Sequence, residues 1–278
     1  MRIKACFFVF LWLLFQNSPS VASDPVRSPE KVPVEISEQL LLNTLKEMEA
    51  WGDRTTWEKQ NDVADALYSR LKQNRGLDVF FHRYQVGNQT FKNVVARIPG
   101  KKDPGAVLIF CAHYDSHPDG LAAGGRAPGA DDNATGVAVL LEGARVLAGK
   151  SVDNSLELVF FSNEEQDHKG SKAYVKDLTA QGRIVKGVIN IDTIGYTQPS
   201  LRVLWQEAKD KGLLEKWFYL GKQVLKKPVY YVQTGFKNPN EILLVGGRPA
   251  SGPFVERIYS LLKGADVGVK KDIGPQCG

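Results

Sequence analysis

Cysteine is scarce in this sequence, which has three cysteines in 278 residues. Cys6 lies in an N-terminal apolar segment, Cys111 lies in a second apolar run, and Cys277 is the residue before last. A disulfide framework needs several closely spaced cysteines, so a small disulfide-held scaffold is excluded. The composition, 43% hydrophobic and 24% charged, is that of an ordinary soluble globular protein, and we expect Cys111 to be a buried thiol.

Long apolar runs are also lacking. No apolar stretch approaches the roughly 20 residues that a membrane-spanning helix needs. The run from Ala5 to Phe15 follows a basic start and precedes a polar stretch that closes on small residues at 21–23. This layout predicts a secretory signal peptide over 1–23, followed by a flexible leader over 24–36. A membrane anchor is the alternative, and the short run disfavours it. We therefore expect a secreted or extracytoplasmic protein without membrane contact after signal removal.

Charge of one sign is not concentrated anywhere in the chain. The formal net charge is +5, and the basic residues are scattered, which gives no reason to expect a nucleic acid or an anionic surface as partner. The sequence shows no internal repeat, no low-complexity tract and no linker. We therefore expect one domain over residues 37–278.

The remaining pattern predicts alternating helices and strands. Helical spacing predicts two helices over 37–74, and a strand pair follows in "LDVFFHRYQV" and "FKNVVARIPG". Three apolar runs then alternate with helices that begin near 134 and 170; the runs are "AVLIFCAHYDS", "LELVFFSNEE" and "VKGVINIDTIG". Buried strands alternating with helices indicate an α/β fold, a three-layer α/β/α sandwich with a mostly parallel mixed sheet. A strand in "SLRVLW" and helices near 213–225 and 251–262 extend these layers.

Each of the three apolar runs ends in residue types that bind metals. His113 and Asp115 end the first run, Glu164 and Glu165 the second, and Asp192 the third. The loop after the first run adds an acid pair at 131–132. Since the carboxyl ends of parallel strands meet at one edge of a sheet, these side chains are expected to lie together. Imidazole and carboxylate ligands favour zinc.

The adjacent glutamates are explained if they serve one metal centre in two ways. Neighbouring side chains at a strand end point in opposite directions, so one can bind a cation while the other moves a proton of the attacking water. Plainer alternatives remain open for each candidate. The glutamate pair could complement a helix dipole, either Asp131 or Asp132 could bind metal while the other caps a helix, and Asp192 could cap or form an ion pair. His117 and His168 are expected on a solvated rim.

The segments "CAHYDS", "APGADDNATG", "FFSNEEQDHKGS" and "INIDTIGY" resemble four ordered motifs of the secreted co-catalytic zinc aminopeptidases, the family of the bacterial leucyl aminopeptidase. Glutamate carboxypeptidases and glutaminyl cyclases share that fold. The resemblance implies two zinc ions, with His113 and Asp192 on one and Asp132 bridging both. It places Glu165 on the other zinc, with Glu164 as general acid/base through a metal-bridged hydroxide. It also implies that Asp115 orients the imidazole, and that a cis peptide follows the bridging aspartate.

Two departures from the family pattern bear on function. Asp167 and His168 stand where the family has Gly-Leu, and no histidine follows His168 to supply the family's last ligand. The latter leads us to expect a chain truncated at its C-terminus. The leading expectation is a zinc aminopeptidase acting on peptide or protein N-termini. A glutaminyl cyclase-like transferase and a non-catalytic homologue are the alternatives, and the retained acid pair at 131–132 argues against the cyclase.

Overall fold

The computed structural model describes residues 35–117, 126–195, 241–246 and 268–273, together with Glu256 and Ser260. The described residues belong to two compact units, one ending at Gly195 and one following it. The predicted signal peptide, nearly all of the leader, the strand "SLRVLW" and the helix near 213–225 lie outside these residues. No helix in the described part of the chain combines the length and apolarity needed to cross a membrane.

The two N-terminal helices predicted from apolar spacing are present. Helix α1 covers Glu38–Ala50 and helix α2 covers Trp57–Lys72. Each begins at a hydroxyl residue whose oxygen accepts a backbone N–H of the first turn: Ser37 from Leu40 and Thr56 from Lys59. Such caps satisfy donors that a helix start otherwise leaves unpaired.

The predicted strand pair forms an antiparallel hairpin. Strand β1 covers Asp78–Val86 and strand β2 covers Gln89–Ile98, with Val86 opposite Gln89. The two-residue turn contains Gly87 at φ +58°, a left-handed conformation that glycine adopts without steric cost.

The three apolar runs form the remaining strands of a five-stranded mixed sheet. These elements are β3 (Asp103–His113), α3 (Ala134–Leu147), β4 (Asn154–Phe161), α4 (Lys169–Ala180) and β5 (Ile184–Asn190). The strand order is β1-β2-β4-β3-β5. Strand β3 pairs in parallel with both β4 and β5, whereas β2 pairs antiparallel with β1 and β4. The parallel strands therefore present their carboxyl ends at one edge.

Helices cover both faces of this sheet, which confirms the three-layer α/β/α architecture. On one face, α1, α2 and α3 pack against strand residues that include Phe110 and Leu158. On the other face, Tyr174 of α4 packs in a separate cluster with Ile109 and Val159. Adjacent strand residues thus point into opposite cores, as the two-residue period of a strand requires.

Strand β5 departs from the expected burial on both faces. Ile184, Val185 and Val188 are 56%, 43% and 50% exposed, although the run reads as a buried strand. Among the strands that the structure describes, β5 lies at the edge of the five-stranded sheet and pairs with β3 alone. Apolar composition reports which residues favour a strand, and it does not report where that strand lies in a sheet.

The second unit contains a parallel pair that was not predicted, β6 (Glu241–Gly246) and β7 (Gly268–Ile273). The β7 sequence "GVKKDI" lacks the apolar alternation that marks a half-buried strand. Glu256 and Ser260, inside the helix predicted over 251–262, are helical.

Candidate metal centre

The imidazole of His113 lies at the centre of a group of carboxylates. His113 is the last residue of β3 and is 2% exposed. Its Nε2 atom lies 2.9 Å from Oδ1 of Asp132 and 3.7 Å from Oδ1 of Asp192. Two acids predicted from separate segments therefore lie beside one imidazole nitrogen.

Asp132 is held by the loop that precedes α3. The Asp132–Asn133 peptide is cis, which confirms the expectation from the family resemblance. Asn133 caps α3 by accepting the N–H of Gly136, and it donates to the carbonyl of Ile191, next to Asp192. This side chain joins the two segments that carry the acids.

The neighbouring Asp131 has a different role from either alternative considered for it. Asn133, not Asp131, is the N-cap of α3, so the expectation that Asp131 caps this helix is wrong. Oδ1 of Asp131 accepts the backbone N–H of Gly195 at 2.7 Å. Asp132 is the member of the pair that contacts His113.

The tandem glutamates lie in the loop between β4 and α4. Strand β4 ends at Phe161, so the expectation that strand alternation separates Glu164 from Glu165 is wrong. Helix α4 begins at Lys169 with no acid in its first turn, so the pair does not serve the helix dipole. The loop places Glu165 with His113 and Asp132, with one donor atom of each within 4.8 Å of the others.

Asp115 connects His113 to the glutamate loop. It is 1% exposed, and its Oδ1 lies 3.4 Å from Nδ1 of His113. Its two oxygens accept the backbone N–H groups of Glu164 and Glu165 at 3.1 and 3.2 Å. One carboxylate therefore lies beside the imidazole and also fixes the backbone of both glutamates.

The electrostatics of this cluster suit a divalent cation. Burial lowers the pKa of His113, but Asp115, Asp132 and Asp192 raise it to about 12. The hydrogen bond to His113 lowers the pKa of Asp132, whereas burial and the Asp132 carboxylate raise the pKa of Glu165 to about 7. Oε1 of Glu165 and Oδ1 of Asp192 are buried without a hydrogen-bond partner. Buried acceptor oxygens beside an imidazole are the donor set that zinc prefers, so these residues fit that ion.

Comparison with known proteins places this site in a family. The sequence model of Peptidase family M28 matches residues 93–238, which is just over half of the chain. This chain belongs to peptidase family M28. The matched region contains all six residues singled out for the site: His113, Asp115, Asp132, Glu164, Glu165 and Asp192.

Two fungal relatives illustrate the M28 similarity. The chain is 30% identical over 175 residues to a "Probable leucine aminopeptidase" of Arthroderma otae, covering 59% of this chain and 46% of that protein. It is 38% identical over 107 residues to a "Probable zinc metalloprotease" of Pyrenophora tritici-repentis, covering 38% and 22%. The chain thus spans less than half the length of these curated relatives.

Solved structures share the fold of this M28 chain. The Legionella pneumophila LapA aminopeptidase matches with a TM-score of 0.59 at 20% identity, covering 90% of this chain and 60% of LapA. A Fimbriiglobus ruber glutaminyl cyclase matches with a TM-score of 0.51 at 18% identity, covering 61% and 65%. At these identities the likeness concerns the fold alone, and it identifies the fold as that of zinc exopeptidases.

Two histidines lie beside the M28 site. The side chains of His117 and His168 are 47% and 61% exposed, as expected of rim residues. Nδ1 of His168 lies 2.8 Å from Oε1 of Glu164, and Nε2 of His117 lies 3.9 Å from Oε2 of Glu165. His168 also adopts φ +53°. The family's Gly-Leu is thus replaced here by residues that include a direct neighbour of Glu164.

Arg54 is a residue of this region that sequence reasoning missed. It is fully buried, and its guanidinium donates to five backbone carbonyls, those of Met48, Gly52, Tyr114, Pro128 and Gly129. Burial lowers its pKa to about 10 despite the nearby Asp115 and Asp53 carboxylates. Arg54 therefore joins the segment between His113 and Asp115 to the loop before Asp132. A lone arginine in a turn gives no signal of this role.

Proposed function

We propose that this protein is a secreted zinc-dependent aminopeptidase that hydrolyses the N-terminal bond of peptides and proteins. The observation that carries the proposal is the convergence of His113, Asp132 and Glu165, with buried oxygens that lack a partner, inside an M28 match. The names of the two relatives, a probable leucine aminopeptidase and a probable zinc metalloprotease, support peptidase activity. Secretion rests on the predicted signal peptide over 1–23.

The resemblance to the co-catalytic zinc aminopeptidases assigns these residues to two metal positions. His113 and Asp192 would hold one zinc ion, Asp132 would be shared, and Glu165 would hold the second. When bound, zinc supplies Lewis acidity to the scissile carbonyl and to water. The carboxylates around His113 raise its pKa, and a bound divalent cation would take the place of the imidazole proton as their counter-charge.

Glu164 is suited to proton transfer because it lies beside the ligand residues. Its Oε2 atom is 3.9 Å from Nε2 of His113, and its side chain is 26% exposed, so it can meet both water and substrate. Glu164 would accept a proton from the attacking water and deliver it to the leaving amine. Asp115 would hold the backbone of this residue while facing the imidazole.

The two alternative functions differ from the proposed one in the number of metal ions and in the reaction. A glutaminyl cyclase would use one zinc and has no need for an acid shared between two ions. Here Asp132 faces His113, and Asp131 has its own partner in Gly195, which supports a shared carboxylate and hydrolysis. A non-catalytic homologue would lack both activities.

The test combines metal content with turnover of an aminoacyl chromogenic substrate and of a glutaminyl peptide. In the full-length gene product we expect two zinc ions per protein, chelator-sensitive release of the chromophore and no cyclisation. Glu164→Gln should lower kcat by roughly 10²–10⁴-fold with zinc content unchanged, since general acid–base catalysis contributes about that factor. His113→Ala should instead lose zinc. Cyclisation with one zinc, or turnover by Glu164→Gln close to wild type, would contradict the proposal.

A further inference from the structure

The loop over residues 162–165, here named the acid loop, is held by side chains rather than by a strand partner. Its four successive backbone N–H groups donate to oxygens from elsewhere in the chain. The first donates to Asn93 Oδ1 at 3.0 Å and the second to Gln60 Oε1 at 3.1 Å. The third and fourth donate to the two oxygens of Asp115. Three separate segments therefore fix four consecutive peptide groups.

These acceptors are buried, so their contacts with the acid loop are protected from water. Asn93 and Gln60 are fully buried, and Asp115 is 1% exposed. A buried N–H without a partner destabilises the folded state, so each acceptor is needed once β4 has ended. The conformation of the acid loop, and with it the direction of the Glu164 side chain, depends on these three residues.

Gln60 contacts the residue of the acid loop that directly precedes Glu164. It lies on α2 and contacts the main chain and the side chain of Asn163, with its Nε2 atom 3.4 Å from Asn163 Oδ1. Asn163 has φ +51°, a left-handed conformation that is uncommon for a residue other than glycine. Its Nδ2 atom donates to the Tyr84 hydroxyl at 3.0 Å. Gln60 and Tyr84 together hold the residue directly before Glu164 in this conformation.

We propose that Gln60 is a positioning residue that acts through Asn163 to hold Glu164 in the orientation for proton transfer. This inference rests on the proposed function for its kinetic consequence, but not for its structural one. Gln60 precedes the region that matches the M28 family, which begins at residue 93. A buried glutamine on a helix thus reaches the site through one hydrogen-bonded residue.

The experiment compares two substitutions of nearly equal size. Gln60→Met removes the acceptor oxygen, whereas Gln60→Glu retains it. In Gln60→Met the Asn163 amide should exchange hydrogen roughly ten times faster, which corresponds to loss of about one hydrogen bond. With zinc bound, kcat should fall roughly ten- to a hundredfold, as expected for a small misplacement, while KM changes less than about threefold. Gln60→Glu should restore most of both quantities.

Val63→Ala is the matched control, because Val63 is a buried apolar residue of the same helix, 1% exposed. It should lower the melting temperature and leave kcat and the Asn163 exchange rate near wild type. If Val63→Ala reproduces the effects of Gln60→Met at equal stability, or if Gln60→Glu rescues nothing, the positioning role is overturned. If the zinc-loaded wild type is inactive, the proposed function fails, and the exchange measurement still tests whether Gln60 holds the acid loop.

Discussion

Replacing Arg54 with lysine tests how strongly one buried side chain organises the candidate metal centre. The guanidinium serves five carbonyls from three nitrogens, with Nε donating to Tyr114 at 2.6 Å and Nη2 donating to Gly129 at 3.2 Å. Lysine keeps the positive charge near Asp115 and Asp53, so the substitution changes geometry rather than charge. An ammonium group has three donors on one atom and cannot reach all five acceptors.

The magnitude follows from the carbonyls that lose their donor. At least two buried carbonyls would be left without a hydrogen bond. Each costs about 1–3 kcal/mol, so the free energy of unfolding should fall by about 2–6 kcal/mol. Total stabilities of domains are about 5–15 kcal/mol, so the variant should fold with a much lower urea midpoint. Zinc affinity should fall roughly ten- to a hundredfold, the effect typical of residues that orient metal ligands, because the segments carrying Asp115 and Asp132 both contact Arg54.

Urea unfolding and zinc titration of Arg54→Lys measure both effects. Arg126→Lys is the matched control, since exposed Arg126 lies in the same loop as Gly129 and its contact with a described residue is long, 3.4 Å to the carbonyl of Glu49. The control should stay within about 0.5 kcal/mol of wild type. An Arg54→Lys variant within about 1 kcal/mol of wild type, with unchanged zinc affinity, would refute the organising role assigned to this arginine.

Three further predictions concern the site and the core. Asp132→Asn should lower the zinc content measured by elemental analysis, because it removes the carboxylate proposed to be shared by both ions. Asp131→Asn should retain zinc because its carboxylate contacts Gly195, and equal loss in both variants would contradict the assignment. Burial, with a smaller effect of Asp192, raises the pKa of the Cys111 thiol to about 12. The thiol is therefore protonated at pH 8 and should resist a thiol reagent until denaturant is added. Rapid labelling of the native protein in a Cys277→Ser background would contradict this prediction. Chelation should lower the melting temperature, since zinc at about 100 times its Kd adds about 2.7 kcal/mol to the stability of the folded state; a melting temperature insensitive to zinc would argue against a native site.

The fold was predictable because its strands and helices carry local signals. The apolar spacing in α1 and α2 and the continuous runs in β3 and β4 reflect which side chains each element buries. The proximity of the candidate residues was predictable for a related reason, since parallel strands bring their carboxyl ends together whatever their separation in sequence. What local pattern does not encode is the position of a strand within the sheet, which is why the exposed face of β5 was not anticipated.

The supporting network was not predictable because its partners are mostly backbone groups. Arg54 and Gln60 bind carbonyls and an amide that become neighbours only after folding, and each is an ordinary polar residue in its own segment. The positions of Glu164 and Glu165 in a loop were not predicted, for the same reason. Their separation depends on contacts of Asp115 and Gln60 with the acid loop and not on strand alternation.

Anomalous X-ray scattering at the zinc absorption edge, from crystals of the zinc-loaded protein, tests the metal assignment most directly. The predicted result is a zinc peak about 2.0–2.2 Å from Nε2 of His113 and from carboxylate oxygens of Asp132 and Asp192. Zinc bound at other residues, or no peak at this sheet edge under saturating zinc, would contradict the central claim.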